Sequence, residues 1–172
     1  MSRSTTTVRT PASSALSAGV AALLAGCAGY GAEGLAPGTA EQVVLERMGT
    51  PTDRVQRADG SRRLEYARGP MGRHTYRIEV DRTGRVTAWS QLLSEEAFGA
   101  VTPGAHRADV LERLGRASER RTGWRGVGEV WSYRYDSRPF CRWFQVWLVD
   151  DRVREASYAP DPDCDDARRR DD

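Results

Sequence analysis

A chain of 172 residues is long enough for one ordinary domain or two small ones. With 29% charged and 39% hydrophobic residues, it is neither a multi-span membrane protein nor disordered throughout. The formal charge of +2 hides a balance: two of the 26 basic residues, Arg3 and Arg9, lie in a leading segment expected to be removed, and the rest match the 24 acidic groups. The basic excess of a nucleic-acid binder is therefore missing.

Arg3 and Arg9 form a positive start with no acidic residue beside them. The stretch from Ala12 to Ala25 is apolar or small, with Leu16, Val20, Leu23 and Leu24 its most apolar members. It is shorter than the ~20 residues of a membrane-crossing helix and matches the apolar stretch of a secretory signal. It ends in Leu24-Ala25-Gly26-Cys27, a lipobox-like run of one bulky residue, two small ones and a thiol. Small residues enter a peptidase cleft in extended form, and the thiol accepts a diacylglycerol thioether. The expectation is a signal peptide over 1–26, covalent lipid (palmitate among its chains) on Cys27, and a lipidated linker over 27–36. The alternative is an ordinary secretory signal with an incidental cysteine. Two or more acyl chains, at ~0.8 kcal/mol per buried CH₂, hold a protein on a bilayer without any transmembrane helix. Ala28 rather than Asp follows the cysteine, as in lipoproteins passed to the outer membrane.

With Cys27 assigned to lipid, Cys141 and Cys164 remain as an even pair. In an oxidising compartment such a pair suggests a disulfide of ~3 kcal/mol, with two free thiols as the alternative. No CxxC spacing occurs and the only histidines are His74 and His106, so neither a metal nor any cofactor beyond the lipid is expected.

The rest of the chain repeats itself. Pro37-Gly38 leads to Val44-Leu45-Glu46-Arg47-Met48-Gly49, and Pro103-Gly104 leads to Val110-Leu111-Glu112-Arg113-Leu114-Gly115, at a constant offset of 66. Tyr66 then answers to Tyr133, Val86 to Val153 and Ser90 to Ser157, at an offset of 67. The units are placed at 37–93 and 94–164, with a charged tail over 165–172. In the first, Thr39 and Gln42 suggest a capping box, and Gly49 stands where the helix should end. Leu64 and Tyr66 alternate, then Tyr76, Ile78 and Val80, then Val86, Ala88 and Ser90; Gly69–Gly72 and Asp81–Gly84 read as the turns between them. That pattern is a helix followed by a three-stranded antiparallel meander. Ser94-Glu95-Glu96 opens a short helix carrying Phe98 between the units. The second unit predicts a helix over 105–114, without a capping box, and strands near 129–135, 141–149 and 152–158. A hairpin centred on Asp150-Asp151 sets Cys141 opposite a position near Pro160, within reach of Cys164.

A Pro-Gly start, a helix ending in Leu-Gly, an aromatic strand and a terminal V-x-x-x-S strand resemble the SmpA/OmlA family, the BamE-like lipoproteins. The resemblance covers roughly 35–164 and implies an α+β fold, helices against a three-stranded sheet, here in tandem. It also implies an accessory role at the outer membrane, with lipid and envelope or β-barrel assembly proteins as partners. The chain departs from the founding member in having two units instead of one.

Catalysis has little support, because neither histidine stands near a recognisable nucleophile motif. Glu95-Glu96 reads as the acidic first turn of a helix, and the acidic run Asp161–Asp166 lacks the glycine and closing glutamate of a calcium loop. The aromatic strands of the second unit are richer than one buried face needs. Trp131, Tyr133 and Tyr135 share one face of their strand; Trp143 and Trp147 lie opposite Phe144, Val146 and Leu148. The second face is expected to be covered by the first unit or by a partner, for which Trp131, Trp143 and Trp147 are the candidate contacts. Two readings follow: a lipid-anchored accessory or scaffold of the outer membrane, and a secreted binder resembling the tandem-repeat β-lactamase-inhibitor proteins.

Overall fold

The computed structural model describes residues 30–163, so the signal segment, the lipobox Leu24–Cys27 and Cys164 lie outside the described residues. The first unit runs α1 (Glu41–Met48), β1 (Asp53–Gln56), β2 (Arg62–Ala67), β3 (Thr75–Val80) and β4 (Val86–Gln91). A short helix, α2 (Glu95–Gly99), leads into the second unit: α3 (Arg107–Leu114), β5 (Glu119–Thr122), β6 (Glu129–Arg134), β7 (Arg142–Val149) and β8 (Arg152–Pro160). Each set of strands forms its own antiparallel meander, β1-β2-β3-β4 and β5-β6-β7-β8. The α+β fold in two tandem units is therefore as expected, but each sheet has four strands rather than three. The additional strands read DRVQ and ERRT and are mostly exposed. They are short, charged edge strands, which resist pairing with other chains and carry no apolar alternation by which to find them.

The repeat survives down to single hydrogen bonds. The Gly38 N–H donates to the Val86 carbonyl at 2.8 Å, and the Gly104 N–H to the Val153 carbonyl at 2.8 Å. Ala40 bridges to Arg85 as His106 bridges to Arg152. The Tyr66 hydroxyl donates to the Gly49 carbonyl and the Tyr133 hydroxyl to the Gly115 carbonyl, both at 3.2 Å. These bonds explain why Pro-Gly starts each unit: a left-handed glycine, φ 89° at Gly38 and 87° at Gly104, turns the chain so that the next residues lie along the start of the last strand.

The capping pattern differs from expectation. Helix α1 starts from Ala40 with no side-chain cap, because the Thr39 hydroxyl donates instead to the Ala36 carbonyl. The second helix, for which no capping box was expected, has the Asp109 carboxylate accepting the His106 backbone N–H at 3.0 Å. The short helix expected at Ser94-Glu95-Glu96 forms as α2, and Ser94 caps it by accepting from the Ala97 N–H at 3.2 Å.

Each core lies between the helix and one sheet face. Val44 and Met48 meet Leu64, Tyr66, Tyr76 and Ile78; Val110 and Leu114 meet Trp131, Tyr133, Phe144 and Val146. Cross-strand pairing places these side chains opposite one another, Tyr66 with Tyr76 and Tyr133 with Phe144. Ala32 and Leu35, within the stretch read as linker, are buried in the first core and stand as far before Pro37 as Phe98 and Val101 stand before Pro103.

The units meet where the end of α3 reaches the outer face of the first sheet. Glu65, 6% exposed on that face, accepts from the Arg116 N–H at 3.1 Å and from Arg77 at 3.3 Å. Glu112 of α3 accepts from Arg63 at 2.6 Å. Gly115, at φ 70°, sits so close that an added Cβ would come within 2.5 Å of the Glu65 carboxylate and 2.9 Å of the Thr75 methyl. Its counterpart Gly49, at φ 79°, has nothing within 4 Å of such a Cβ. Gly49→Ala should cost only the backbone strain, about 1–3 kcal/mol, whereas Gly115→Ala should cost more by prising the units apart. Urea unfolding of the two variants checks this, and equal losses would contradict the contact.

Candidate functional site

Strand alternation decides what the second sheet shows to the outside. On β7, Phe144, Val146 and Leu148 point into the core, leaving Trp143, Gln145 and Trp147 outward; on β6 the outward residues are Val130, Ser132 and Arg134. Of the three tryptophans proposed as partner contacts, Trp131 is fully buried in the core. It lies under Arg120, 4.1 Å from its ring centre, with its indole N–H on Glu129 at 2.8 Å. It is therefore not available to a partner. Trp143 and Trp147 do share the outer face, but in different circumstances.

Trp143, 3% exposed, lies at the end closed by the chain itself. Arg121 and Arg134 stand over its ring at 5.7 and 5.4 Å. Arg134 holds this end together: its Nε and Nη2 donate to Asp161 at 2.6 and 2.8 Å, Nη2 also meets Asp163 at 2.6 Å, and Nη1 donates to the Pro70 carbonyl of the first unit at 2.6 Å. Hydrogen bonding to Asp161 raises the Arg134 pKa, so this guanidinium stays charged. This end of the outer face is thus covered within the chain, by the β2–β3 loop of the first unit and by Asp161 and Asp163 after β8.

Trp147 lies at the open end. Its indole N–H donates to the Val127 carbonyl at 2.9 Å, tying it to the Gly123–Gly128 loop that joins β5 to β6. Gly123 has to be glycine, since a Cβ there would lie 2.0 Å from the Val127 carbonyl and 2.6 Å from the Trp147 indole nitrogen. This fold-over presents Trp124, 67% exposed, with Arg125 stacked 4.1 Å over its ring. Trp124, Val130, Gln145, Trp147, Glu155 and Ser157 line a groove of about 320 Å³. Reading strand faces missed Trp124 because it sits in a loop. A tryptophan among three glycines, Gly123, Gly126 and Gly128, was the available signal.

His74 and Glu95, singled out by the sequence, are held in structural contacts. His74 has Nδ1 at 3.1 Å from the Tyr30 hydroxyl and stacks on Tyr76; His106 is exposed at the start of α3. Glu95 accepts from the hydroxyls of Tyr158 and Tyr135 and from Arg142, and these bonds, Tyr158 first, hold its carboxyl below the ordinary glutamate range. Among the described residues no group of three or more His, Cys, Asp or Glu side chains is placed to hold a metal, and no helix is long and apolar enough to cross a membrane. Cys141 immediately precedes β7, and its carbonyl accepts the Asp161 N–H at 3.1 Å.

No protein-family model and no curated protein matches the chain. Among solved structures it is similar to a protein described as an osmotically inducible lipoprotein, OsmE, at 21% identity over 34% of this chain and 70% of that one, with a TM-score of 0.31. A protein from Streptococcus mutans described as a beta-lactamase inhibitor matches at 13% identity over 70% of this chain and 82% of that one, with a TM-score of 0.32. An extracellular protein of Bacillus anthracis str. Ames containing an SCP domain matches at 14% identity over 72% of this chain and 44% of that one, with a TM-score of 0.28. The two units together belong to the α+β class with separate four-stranded meanders.

Removing one partner of a buried ion pair leaves an uncompensated charge, at a cost of about 3–5 kcal/mol. Arg134→Met should lose stability on that scale, while Arg121→Met, on an exposed side chain, should leave the unfolding midpoint near wild type. Thermal melts that shift equally in the two variants would refute the role given to Arg134.

Proposed function

We propose that this chain is a lipid-anchored, non-enzymatic accessory or scaffold protein at the periplasmic face of the outer membrane. It acts by protein–protein contact, in β-barrel assembly or in envelope integrity. The observation that carries the contact is the open end of the second sheet, where Trp124 stands 67% exposed beside Val130 and Trp147 while the other end is closed by Arg134. Rigid aromatic side chains framed by arginine are what protein interfaces favour. The anchor rests on Leu24-Ala25-Gly26-Cys27.

Crosslinking and affinity capture of the full-length lipoprotein from native membranes tests both halves. Envelope proteins, barrel-assembly subunits among them, should be recovered with the wild type, lost from the membrane fraction with Cys27→Ser, and reduced with Trp124→Ala/Trp147→Ala. An unchanged set of partners with a folded tryptophan double variant would remove the groove from the mechanism. A released protein that inhibits a hydrolase would favour the secreted-binder reading instead.

We also assign Cys141 and Cys164 as disulfide partners. Arg142 pairs with Pro160 and the Asp161 N–H reaches the Cys141 carbonyl, which returns the chain to Cys141 three residues before Cys164. Peptide mapping without reductant should recover the two cysteines linked; finding both alkylated as free thiols would overturn the assignment.

A further inference from the structure

We infer that the end of the body carrying Tyr30, Met71 and Phe140 lies against the lipid surface, so that two hairpin tips touch the bilayer in addition to the acyl anchor. The inference rests on the lipidation of Cys27 proposed above. Only Ala28 and Gly29 separate Cys27 from Tyr30, and three Cα-to-Cα steps span at most about 11 Å. Tyr30 is not a loose tether. Its carbonyl accepts from Arg68 at 2.8 Å, its hydroxyl accepts the Arg73 N–H at 2.8 Å, and its ring meets His74 edge-on. Whatever holds Cys27 in a membrane therefore draws the β2–β3 hairpin close to it.

The residues at that end suit the position. Met71 and Phe140, 65% and 69% exposed, occupy the β2–β3 and β6–β7 loops, equivalent tips in the two repeats. The bond from Arg134 to the Pro70 carbonyl sets the tips side by side. Between them a cleft of about 450 Å³ is lined by Tyr30, Met71, Arg73, His74, Asp136 and Arg138. Asp136 is matched by Arg138 at 2.6 Å, which leaves Arg73 as the surplus charge. Apolar tips entering the headgroup layer beside an arginine left to meet phosphate are the chemistry of an interfacial contact with anionic lipid. The Trp124 groove lies at the opposite end of β6, about 20 Å away along six strand residues. The two exposed apolar regions thus serve different surfaces, one facing lipid and one facing away from it.

The test uses full-length lipidated protein carrying Met71→Trp or Phe140→Trp, with Val43→Trp on the exposed side of α1 as control. Each is reconstituted in vesicles of phosphatidylethanolamine and phosphatidylglycerol with brominated acyl chains, and mass spectrometry of the N-terminal peptide reads acylation separately. The fluorescence added at positions 71 and 140 should be largely quenched and that at 43 retained. An acylated protein whose added fluorescence at 71 and 140 survives overturns the inference and leaves the anchor standing. An unacylated Cys27 overturns both. Tips that escape quenching but crosslink to an envelope protein would make this end a protein interface, which also overturns the inference.

Discussion

The carboxylate of Glu65 is the joint on which the arrangement of the two halves depends. It lies almost wholly buried on the face of the first sheet turned away from its own core, and it accepts from the side chain of Arg77 and the backbone of Arg116. A buried carboxylate without such donors would cost several kcal/mol, so the second unit completes a charge that the first cannot satisfy well alone. Arg116 directly follows the glycine that ends α3. That acceptor therefore fixes where the end of the helix meets the neighbouring sheet. Arg134 does the complementary work at the other contact, binding the first unit's loop and Asp161 after β8 at once.

This dependence explains an asymmetry between two otherwise parallel halves. Each is about sixty residues, a size at which a single core is marginal, and each has a sheet with one face left over. The first sheet meets the second unit with Arg63 and Arg77, which Glu112 of α3 matches, and with Glu65, which accepts the backbone N–H of Arg116 just after that helix. The second sheet carries tryptophans on its spare face. The chain closes over Trp143 and leaves Trp147 beside a groove. The aromatic surplus thus lies on a sheet face that the first unit covers only in part.

Much of this was legible in the residues. The Pro-Gly starts, the helix-ending glycines and the alternation of Tyr76, Ile78 and Val80 each have a local physical cause, and each reappears in the fold. What escaped had no such cause. The edge strands β1 and β5 are polar because they border solvent, so nothing periodic marks them. Thr39 made a plausible cap by spacing, but its hydroxyl found the nearer Ala36 carbonyl. The face of Trp131 was read correctly relative to Tyr133, yet which face becomes the core depends on where α3 packs. At the candidate site, Trp147 was visible from strand alternation. Trp124 required knowing that a glycine-rich loop folds back over the sheet.

The matched clamps formed by Gly38 on Val86 and Gly104 on Val153 set this chain a problem of self-discrimination. During folding, either Pro-Gly turn could join the wrong final strand with the same backbone chemistry, producing a crossed and aggregation-prone molecule. The backbone cannot tell the halves apart, so side-chain volume must do it. Ala32 occupies the place in the first core that Phe98, stacked on Phe144, takes in the second. A crossed pairing would crowd one core with a phenyl ring and leave the other with a void of that size, and both errors are costly in a close-packed interior. The small residue in one repeat and the large one in the other thus disfavour exchange between the duplicated halves.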